Sequence, residues 1–358
     1  MNRSSLQRLH SYGTRGLLAA TLLAATAALA GERERSVLVL TSTNDSGANA
    51  VVVFKLDTAG APSLGYLDTL PTGGKGGASG NAGILQFKHE RGAVANFGSN
   101  SVTELVRQDD SISLGGTINQ VSGCVQPDSV ALTKDHLFVL GANCAESHAW
   151  PSGNPDGAVV HLTDPSGAQI AVGDHWSAVT LKSGSVLQLL LTGEGALSGS
   201  SASIALPSTA DNTPLGEAFW GDRLGFTPAH SPDSFTIVKK DRTVFPITGP
   251  TPPYPTNAPC WVAKGRGNVW YTANSPGEAI SIFFSDGEGG VFYKSTPLPG
   301  VPTDITVSDD GKWLAVIYGA SGDAHVAVFS IDPYGDLAPA ATSSSVGVTA
   351  FSGVAISE

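Results

Sequence analysis

Charged residues, cysteine and long hydrophobic runs are all scarce in this sequence. Only 14% of its 358 residues are charged, and the chain has three cysteines and one methionine. After the first 30 residues, no apolar run approaches the roughly 20 residues that span a bilayer, and no long stretch has apolar residues at helical spacing. These absences exclude a helical bundle and argue against a membrane-spanning segment beyond the N-terminal leader.

Glycine and proline are abundant instead, with 43 and 22 residues. Hydrophobic residues still make up 41% of the chain, so this composition is typical of a folded protein rich in tight turns rather than of a disordered one. Short runs of β-branched and aromatic residues lie between the turn residues. The composition therefore predicts an all-β fold.

The clearest strand pattern lies in residues Ala258–Asp286. Three short strand-like runs follow one another there, separated by G-R-G-N and N-S-P-G turns, and a fourth run, Gly290–Ser295, completes the unit. A second unit with the same order of runs and turns starts at Pro302, 43 residues after Pro259. A recurring unit of four strands over about 40–50 residues is the sequence pattern of a β-propeller blade.

The same spacing continues through the rest of the chain and predicts seven four-stranded antiparallel blades, in one domain over residues 31–358. The first runs have no innermost strand before them, whereas Phe351–Ser357 has the pattern of an innermost strand. We therefore expect the C-terminal strand to join the first blade and close the ring. The innermost strands are predicted near Gly83, Pro127, Ser177, Ala218, Pro259, Pro302 and Ser352.

Residues 1–30 have the pattern of a signal peptide. Three arginines accompany an apolar run, Gly16–Ala27, that is too short for a membrane span, and Ala28–Ala30 fits a cleavage site. We expect cleavage after Ala30 and release into the periplasm or the outside, with no membrane span remaining. A membrane anchor that stays attached is the alternative.

The charge balance bears on the partners of the chain. Without the leader's three arginines, 17 basic residues face 31 acidic ones, so the mature chain has a net charge of −14. Binding to a nucleic acid requires a basic face, and this charge argues against such a partner. We expect a monomer that binds a small-molecule ligand.

The cysteines predict one disulfide. Cys124 and Cys144 flank a predicted hairpin whose turn contains Lys134 and Asp135. Opposed residues of an antiparallel hairpin have a nearly constant sum of residue numbers, and both pairs fit one register. We therefore predict a Cys124–Cys144 disulfide, with two reduced, buried cysteines as the alternative. Cys260 has no histidine in its motif, which favours a packing role over a nucleophilic one.

Three motifs carry a resemblance to a known family. They are A-P-C-W-V-A at Ala258–Ala263, P-T-D-I-T-V-S-D-D-G-K-W-L-A-V-I-Y at Pro302–Tyr318 and T-S-T-N-D-S-G-A-N-A-V-V-V-F at Thr41–Phe54. With them the chain resembles the seven-bladed lactonase-like family, which includes propeller-type bacterial 6-phosphogluconolactonases and fungal carboxymuconate cyclases. It is most similar to the exported bacterial branch. The resemblance implies the propeller fold and a lactonase-like hydrolase or lyase.

The catalytic residues of that family cannot be assigned directly in this sequence. Its catalytic His, Arg and Glu positions have no residue-by-residue match here. The exported branch often has P-F-G-F-A-F where this chain has P-L-G-E-A-F at Pro214–Phe219, so Glu217 departs from the pattern. The added acidic residue and the lack of an arginine cluster argue against a phosphorylated or tricarboxylate substrate.

The predicted site is one mouth of the central channel. In a propeller, the loops entering the innermost strands and the loops between second and third strands gather there. We predict His175 and Glu217, on adjacent blades, as the acid/base pair, because the titration range of histidine suits proton transfer. The long segment Asn143–Gly157 either forms a wall of this pocket or is an ordinary surface loop. The predicted ligand-binding residues are Asp128, His148, Trp150, Trp176, His230, Trp261 and Asp304.

No cofactor is predicted, and no Cys/His pair has the spacing of zinc ligands. The alternative is a hard cation such as calcium, for which Asp128, Glu217 and Asp304 offer oxygen ligands. Asp128 and Asp304 occupy equivalent places in their blades, and this position equally suits the capping of loop amides.

Two functions remain open from the sequence. One is an exported hydrolase or lyase for a small lactone-like molecule. The other is a non-catalytic propeller that binds a protein, a glycan or a small ligand, since the fold alone does not decide between them.

Overall fold

The computed structural model of the chain describes residues 36–358 except 79, 208–212, 230–233, 249–257 and 348–350. The predicted signal peptide and His230 lie outside these residues. The described part contains 28 β-strands and one short 3-10 helix, Phe97–Ser99. Within that part, no helix has the length and apolar character needed to cross a membrane.

The strands form seven separate four-stranded antiparallel sheets, as predicted. Most strands hold β-branched or aromatic residues and end at glycine, asparagine, aspartate or proline, which supply the turns. In chain order the strands are β1 Val37–Ser42, β2 Ala50–Asp57, β3 Ser63–Pro71, β4 Leu85–Lys88, β5 Arg91–Asn96, β6 Ser101–Gln108, β7 Ser111–Asn119, β8 Pro127–Leu132, β9 His136–Gly141, β10 Cys144–Ala149, β11 Val160–His161, β12 Gly167–Val172, β13 Trp176–Leu181, β14 Ser185–Leu191, β15 Leu197–Ala205, β16 Pro214–Trp220, β17 Arg223–Pro228, β18 Ser234–Lys239, β19 Val244–Thr248, β20 Pro259–Lys264, β21 Val269–Asn274, β22 Ala279–Ser285, β23 Gly290–Pro297, β24 Val301–Val307, β25 Trp313–Ala320, β26 Asp323–Ile331, β27 Leu337–Thr342 and β28 Ser352–Ser357.

The sheets are the blades of a propeller. Blade 1 contains β28, β1, β2 and β3 from the channel outwards, and blades 2 to 7 each take the next four strands of the chain. The innermost strands, β28, β4, β8, β12, β16, β20 and β24, contact one another in a closed circle. The predicted seven-bladed architecture is confirmed.

The ring is closed by pairing between distant parts of the chain, as expected. In blade 1, β28 pairs antiparallel with β1, and Val39 lies opposite Ile356. The hydroxyl of Thr41 donates a hydrogen bond of 2.8 Å to the carbonyl of Gly353. This pairing covers the inner edge of β1, which would otherwise be free to pair with another chain.

The hydrophobic core is divided into seven clusters, one between each pair of neighbouring blades. Successive residues of a strand face opposite sides of its sheet, so one strand supplies two clusters. In β1, for example, Val39 packs towards blade 7, whereas Leu38 and Leu40 pack towards blade 2. Burial on both faces explains why the inner strands are continuous apolar runs.

One predicted innermost strand is wrong. The innermost strand of blade 4 is β12, Gly167–Val172, and the run near Ser177 belongs to the second strand, β13. Both strands are apolar and buried on both faces, so the pattern of the run alone does not distinguish them. The other six predicted positions lie in, or within two residues of, the observed innermost strands.

The cysteine prediction is confirmed. Cys124 and Cys144 form a disulfide with their Cα atoms 5.7 Å apart. Pro127 lies opposite Gly141 in the β8–β9 hairpin, and this register extends to the two cysteines. Cys260 is free and buried.

Candidate active site in the central channel

A β-bulge interrupts six of the seven innermost strands close to their first residue. A bulge adds one residue to a strand and changes which side chain faces a given side. It therefore fixes, in each blade, the residue at which regular pairing resumes. These residues are Ser129, Gln169, Glu217, Trp261, Asp304 and Val354.

Four of these equivalent residues line one cavity of about 210 Å³ in the central channel. They belong to the consecutive blades 4, 5, 6 and 7, and all four are buried. We call this set, Gln169, Glu217, Trp261 and Asp304, the polar arc. It places two carboxyl groups, an amide and an indole at one level of the channel.

Two members of the polar arc link neighbouring blades. The side-chain oxygen of Gln169 accepts a hydrogen bond of 2.7 Å from the amide of Glu217. Asp304 accepts one of 3.2 Å from the amide of Val354 and another of 2.9 Å from the amide of Ile305. These bonds satisfy backbone amides that have no strand partner, so they explain the buried polar side chains structurally.

Glu217 has no such role. It is 1% exposed, and neither carboxyl oxygen has a hydrogen-bond partner among the described residues. Burial raises its pKa well above the ordinary value, although the nearby amides of Ala171 and Thr180 act in the opposite direction without reaching hydrogen-bond geometry. The group therefore keeps its proton at pH values where an ordinary glutamate is ionised.

Trp261 is the neighbour of Glu217 in the polar arc. Its indole Nε1 is also buried without a hydrogen-bond partner in the described part of the chain. A Cβ at Gly216 would lie 2.5 Å from the Cα of Trp261, so only glycine allows blades 5 and 6 to approach this closely. Two residues that hold unsatisfied buried polar groups thus line one cavity, from the innermost strands of adjacent blades.

Asp304 completes the acid/base groups of the cavity. Burial raises its pKa to about 7, although the two amide hydrogen bonds lower it. Near neutral pH this carboxyl is present in both protonation states. The polar arc therefore contains two carboxyl groups whose burial favours the protonated form, and that of Asp304 titrates near neutrality.

A second polar group lies beside the arc. Asp128 is the bulged residue of β8, so Ser129 and not Asp128 is the equivalent of Asp304, contrary to the expectation from the sequence, and Asp128 does not line the cavity. The Oδ1 atom of Asp128 has no partner among the described residues. Burial raises the pKa of Asp128 to about 8, although the charge of Lys182 and a hydrogen bond from Asn81 oppose this shift. Lys182 donates a hydrogen bond of 2.5 Å to the side chain of Asn81, which thus connects Lys182 with Asp128.

Lys264 also lines the cavity, but its ammonium group is used locally. The Nζ atom donates to the carbonyls of Gly265 and Gly267, each at 2.7 Å. It also lies 4.9 Å from the centre of the Trp220 ring. Burial lowers the pKa of Lys264 to about 8.

The predicted calcium alternative has no support in the described residues. Their one group of three possible metal ligands within 4.8 Å is Cys124, Cys144 and Glu146, and both of these cysteines are in the disulfide. The carboxyl oxygens of Asp128, Glu217 and Asp304 do not form such a group.

The predicted pairing of His175 with Glu217 is not found. His175 lies in the turn between β12 and β13, because β12 and not β13 is the innermost strand of blade 4. Its side chain is 65% exposed and its Nδ1 lies 2.9 Å from the Asp222 carboxylate. Trp176 is fully buried between blades 4 and 5, where it packs against Phe219 with ring centres 4.8 Å apart.

His148 and Trp150 do not form a loop over the channel mouth. His148 lies in the third strand of blade 3, β10, and is fully buried. Trp150 packs into the cluster between blades 2 and 3. The polar residues of this segment hide its strand pattern, which is why the sequence favours a loop. Neither residue lines the cavity of the polar arc.

Three polar residues near the site are absent from the sequence-based set: Asn81, Gln169 and Lys182. Gln169 follows Gly167 by two residues, as Asp304 follows Pro302, so a correct choice of β12 as the innermost strand identifies it. Asn81 and Lys182 come from loops of blades 2 and 4, and no motif in the sequence marks them.

Comparison with known proteins agrees with the fold described above. No protein-family profile matches the chain, and no curated protein matches it in sequence. Among solved structures, a candidate 6-phosphogluconolactonase from Bacteroides uniformis has a TM-score of 0.67 at 14% identity, covering 90% of this chain and all of its own. The chain thus has the propeller fold, and its structural neighbours are 6-phosphogluconolactonase-like proteins.

Two further neighbours have names that concern a lactone or a lyase reaction. The periplasmic gluconolactonase of Pseudomonas aeruginosa has a TM-score of 0.65 at 16% identity, covering 90% of this chain and 98% of its own. Virginiamycin B lyase from Staphylococcus aureus has a TM-score of 0.53 at 13% identity, covering 78% and 94%. At these identities the likeness concerns the fold alone.

Proposed function

We propose that this protein is an exported lactonase-like hydrolase that opens a small, neutral lactone in the central channel. The observation that carries the proposal is that two residues lining the channel cavity, Glu217 and Trp261, each hold a buried polar group without a hydrogen-bond partner among the described residues. A buried polar group without a partner is costly, so its presence calls for a ligand or an ordered water that satisfies it.

The two groups suit a carbonyl oxygen as ligand. Protonated Glu217 has an O–H to donate, and Trp261 has an N–H. Two donors aimed at a lactone carbonyl polarise it and stabilise the negative charge that forms on its oxygen during attack. The raised pKa of Glu217 favours the protonated, donating form more than in an ordinary glutamate.

Asp304 is the base of the proposed reaction. Its carboxylate takes a proton from a water molecule while the water oxygen bonds to the carbonyl carbon. The ring C–O bond then breaks, and the leaving oxygen takes the proton from Asp304, which yields a hydroxy acid. The pKa of Asp304, about 7, is close to the value that serves proton transfer at neutral pH.

The surroundings favour a neutral substrate of small size. The cavity holds about 210 Å³, and the ammonium of Lys264 is already bound to backbone carbonyls. No free cation of the described residues is therefore available in the cavity for a phosphate or carboxylate group. The names of the gluconolactonase and lyase neighbours also support ester or ring-opening chemistry.

Asp304 also supports a second candidate, a propeller that binds a small ligand without turnover. Both of its carboxyl oxygens accept backbone amides, which accounts for the residue without catalysis. In that case Glu217 and Trp261 bind a ligand, and no base acts on it.

The experiment is a screen of neutral lactones, starting with glucono-δ-lactone, followed by thermal shift and by titration of released acid. We expect turnover, with a loss of about a hundredfold or more in Asp304→Asn. In Glu217→Gln an N–H donor remains, so turnover falls less than in Glu217→Ala. The exposed Glu278 provides a control variant, Glu278→Gln, with unchanged turnover. A ligand that raises the melting temperature but is never hydrolysed supports the binding candidate. If no lactone is hydrolysed and none raises the melting temperature, both candidates are contradicted.

Export, the monomeric state and the absence of a nucleic-acid partner belong to the proposal and rest on the sequence. The leader pattern supports cleavage after Ala30 and a periplasmic or secreted location. N-terminal sequencing of the protein recovered from cell fractions tests this point. A mature protein that still begins with the leader contradicts it.

A further inference from the structure

A groove on the outer part of the propeller, between blades 6 and 7, is separate from the channel. It has a volume of about 550 Å³ and shares no lining residue with the cavity of the polar arc. One wall is the turn between β26 and β27 with Tyr334, and the other carries Tyr293 of β23. Arg266 and Asn268, from the turn between β20 and β21, line it as well.

Tyr334 is 80% exposed, yet the turn that carries it is held firmly. The carboxylate of Asp332 accepts hydrogen bonds of 2.8 Å from the amides of Tyr334 and Asp336. The hydroxyl of Tyr271 in blade 6 donates a bond of 2.9 Å to the carbonyl of Gly335. The aromatic ring is therefore presented to solvent by a pre-formed turn, and binding need not order the backbone.

The opposite wall is also aromatic and fixed. Tyr293 is 50% exposed, and its ring lies 5.3 Å from the ring of Phe284. Lys294, the next residue, pairs with Asp336 at 2.9 Å and so joins the two walls. Two exposed tyrosine rings thus flank a groove whose sides are tied together.

Several polar groups of the groove are unpaired. Within the part of the chain that the structure describes, the Arg266 guanidinium, the Asn268 amide and the hydroxyls of Tyr293 and Tyr334 have no hydrogen-bond partner. The stem of Arg266 packs over Gly311, where a Cβ would lie 2.4 Å from its Cγ and the φ of +62° also favours glycine. The guanidinium is thus positioned without an acidic partner among the described residues.

We propose that this groove binds a saccharide that carries a carboxylate, such as an oligouronate. The apolar C–H face of a sugar ring packs on a tyrosine ring, and its hydroxyls bond to Asn268 and the phenols. The planar guanidinium of Arg266 matches a carboxylate with two parallel hydrogen bonds. Neither aspartate of the Tyr334 turn is paired with Arg266, since Asp332 accepts the amides of its own turn and Asp336 pairs with Lys294.

The test is calorimetric titration of the full chain with trigalacturonate, and with maltotriose as the neutral probe. We expect binding of trigalacturonate and at least about tenfold weaker binding of maltotriose. Tyr334→Ala and Tyr293→Ala should each weaken trigalacturonate binding by about tenfold. Arg266→Ala should remove the preference for the acidic sugar.

Two control variants distinguish binding in the groove from binding elsewhere on the propeller. Tyr66 is 63% exposed on β3 of blade 1, outside the groove, so Tyr66→Ala should bind as the unaltered protein does. Glu217→Gln should also bind normally, because the groove and the channel share no residues. A failure of the lactone screen therefore leaves this proposal standing.

Three results would overturn the proposal. They are no binding of trigalacturonate, binding that Tyr334→Ala and Tyr293→Ala leave unchanged, and equal binding of the neutral probe. Binding of a proline-rich peptide with loss of that binding in Tyr334→Ala, but no binding of sugar, would assign the groove to a protein partner instead.

Discussion

Two glutamates of this propeller are equally buried and differ in everything around them. Glu146 in blade 3 and Glu217 in blade 5 are each 1% exposed. Glu146 accepts a hydrogen bond of 2.9 Å from the amide of Val121, and its other oxygen lies 3.2 Å from Nε2 of His148. Glu217 has no hydrogen-bond partner among the described residues. Burial alone therefore does not distinguish the two carboxyl groups, whereas their hydrogen-bond partners do.

The partner of Glu146 confirms its structural role. Burial lowers the pKa of His148, but the hydrogen bond and the charge of Glu146 outweigh that effect, and the net shift is upward. Its Nδ1 lies 3.0 Å from the carbonyl of Gly153. The pair holds β10 against the segment that follows it. In the channel, by contrast, the Glu217 carboxyl has no such partner among the described residues.

The largest expected effect is on the free energy of unfolding, and it comes from removing the carboxyl of each glutamate in turn. Glu146→Leu should lower the free energy of unfolding by about 3–5 kcal/mol, because it leaves His148 buried without its partner. Glu217→Leu should be neutral or stabilising, since no hydrogen bond is lost and a costly burial is removed. Urea unfolding of both variants measures this. Equal losses in the two variants would remove the distinction between the sites.

The disulfide beside Glu146 should give the next largest effect. Its sulfurs lie within 4.8 Å of a carboxylate oxygen of Glu146, and it closes a loop with a sequence separation of 20 residues. Changing both Cys124 and Cys144 to serine should cost about 3 kcal/mol through the greater freedom of the unfolded chain. A reductant should destabilise the unaltered protein by a similar amount and leave the double variant unaffected. If reduction has no effect on the unaltered protein, the bond does not stabilise blade 3.

The pH dependence of stability sharpens the comparison further. A carboxyl whose pKa is higher in the folded state binds more protons there, so stability falls as pH rises between the unfolded and folded values. For Asp304 that window runs from the ordinary 3.8 to about 7, and for Glu217 it opens at 4.5. Within its window, Glu217 should lower the free energy of unfolding by up to about 1.4 kcal/mol for each unit that the pH rises, and Glu217→Gln should remove this dependence.

Urea unfolding at several pH values between about 5 and 8 measures this slope. The control is Glu278→Gln, which alters an exposed carboxyl and should keep the slope of the unaltered protein. A Glu217→Gln slope equal to that of the control would mean that Glu217 is ionised in the folded protein.

The smallest expected effect concerns His175. Its side chain is 65% exposed and contacts only Asp222 among the ion pairs of the described residues. His175→Ala should change stability by less than about 1 kcal/mol, as is usual for an exposed ion pair. Turnover should stay within about twofold, since the residue does not line the cavity. A loss of turnover comparable to that of Asp304→Asn would show that the active site includes the β12–β13 turn.

The fold is largely predictable because its information is local. Each blade is marked by short strands and turn residues, and the resemblance of the units to one another supplies their number. The error at Ser177 arises because β12 and β13 are both buried on two faces, and which of them lies innermost depends on contacts with blades 3 and 5. That one shift misplaces His175 and Trp176 and conceals Gln169.

The candidate site is predictable in part. The positions of Glu217, Trp261 and Asp304 in the repeated units place them near the channel, and the structure brings them into one cavity. That Gln169 is used to bind an amide while Glu217 is left without a partner depends on the spacing between neighbouring blades. No pattern within a single blade contains that information.

The pairing of β28 with β1 also determines when the ring can close during synthesis. The hydrogen bond from Thr41 to Gly353 joins residues 312 positions apart, so it forms only after the intervening blades have been made. Until then β1 has a free edge while the later blades fold beside it. Contacts this distant in sequence slow folding and prolong the exposure of such edges. The first sheet of the propeller is thus the last to be completed.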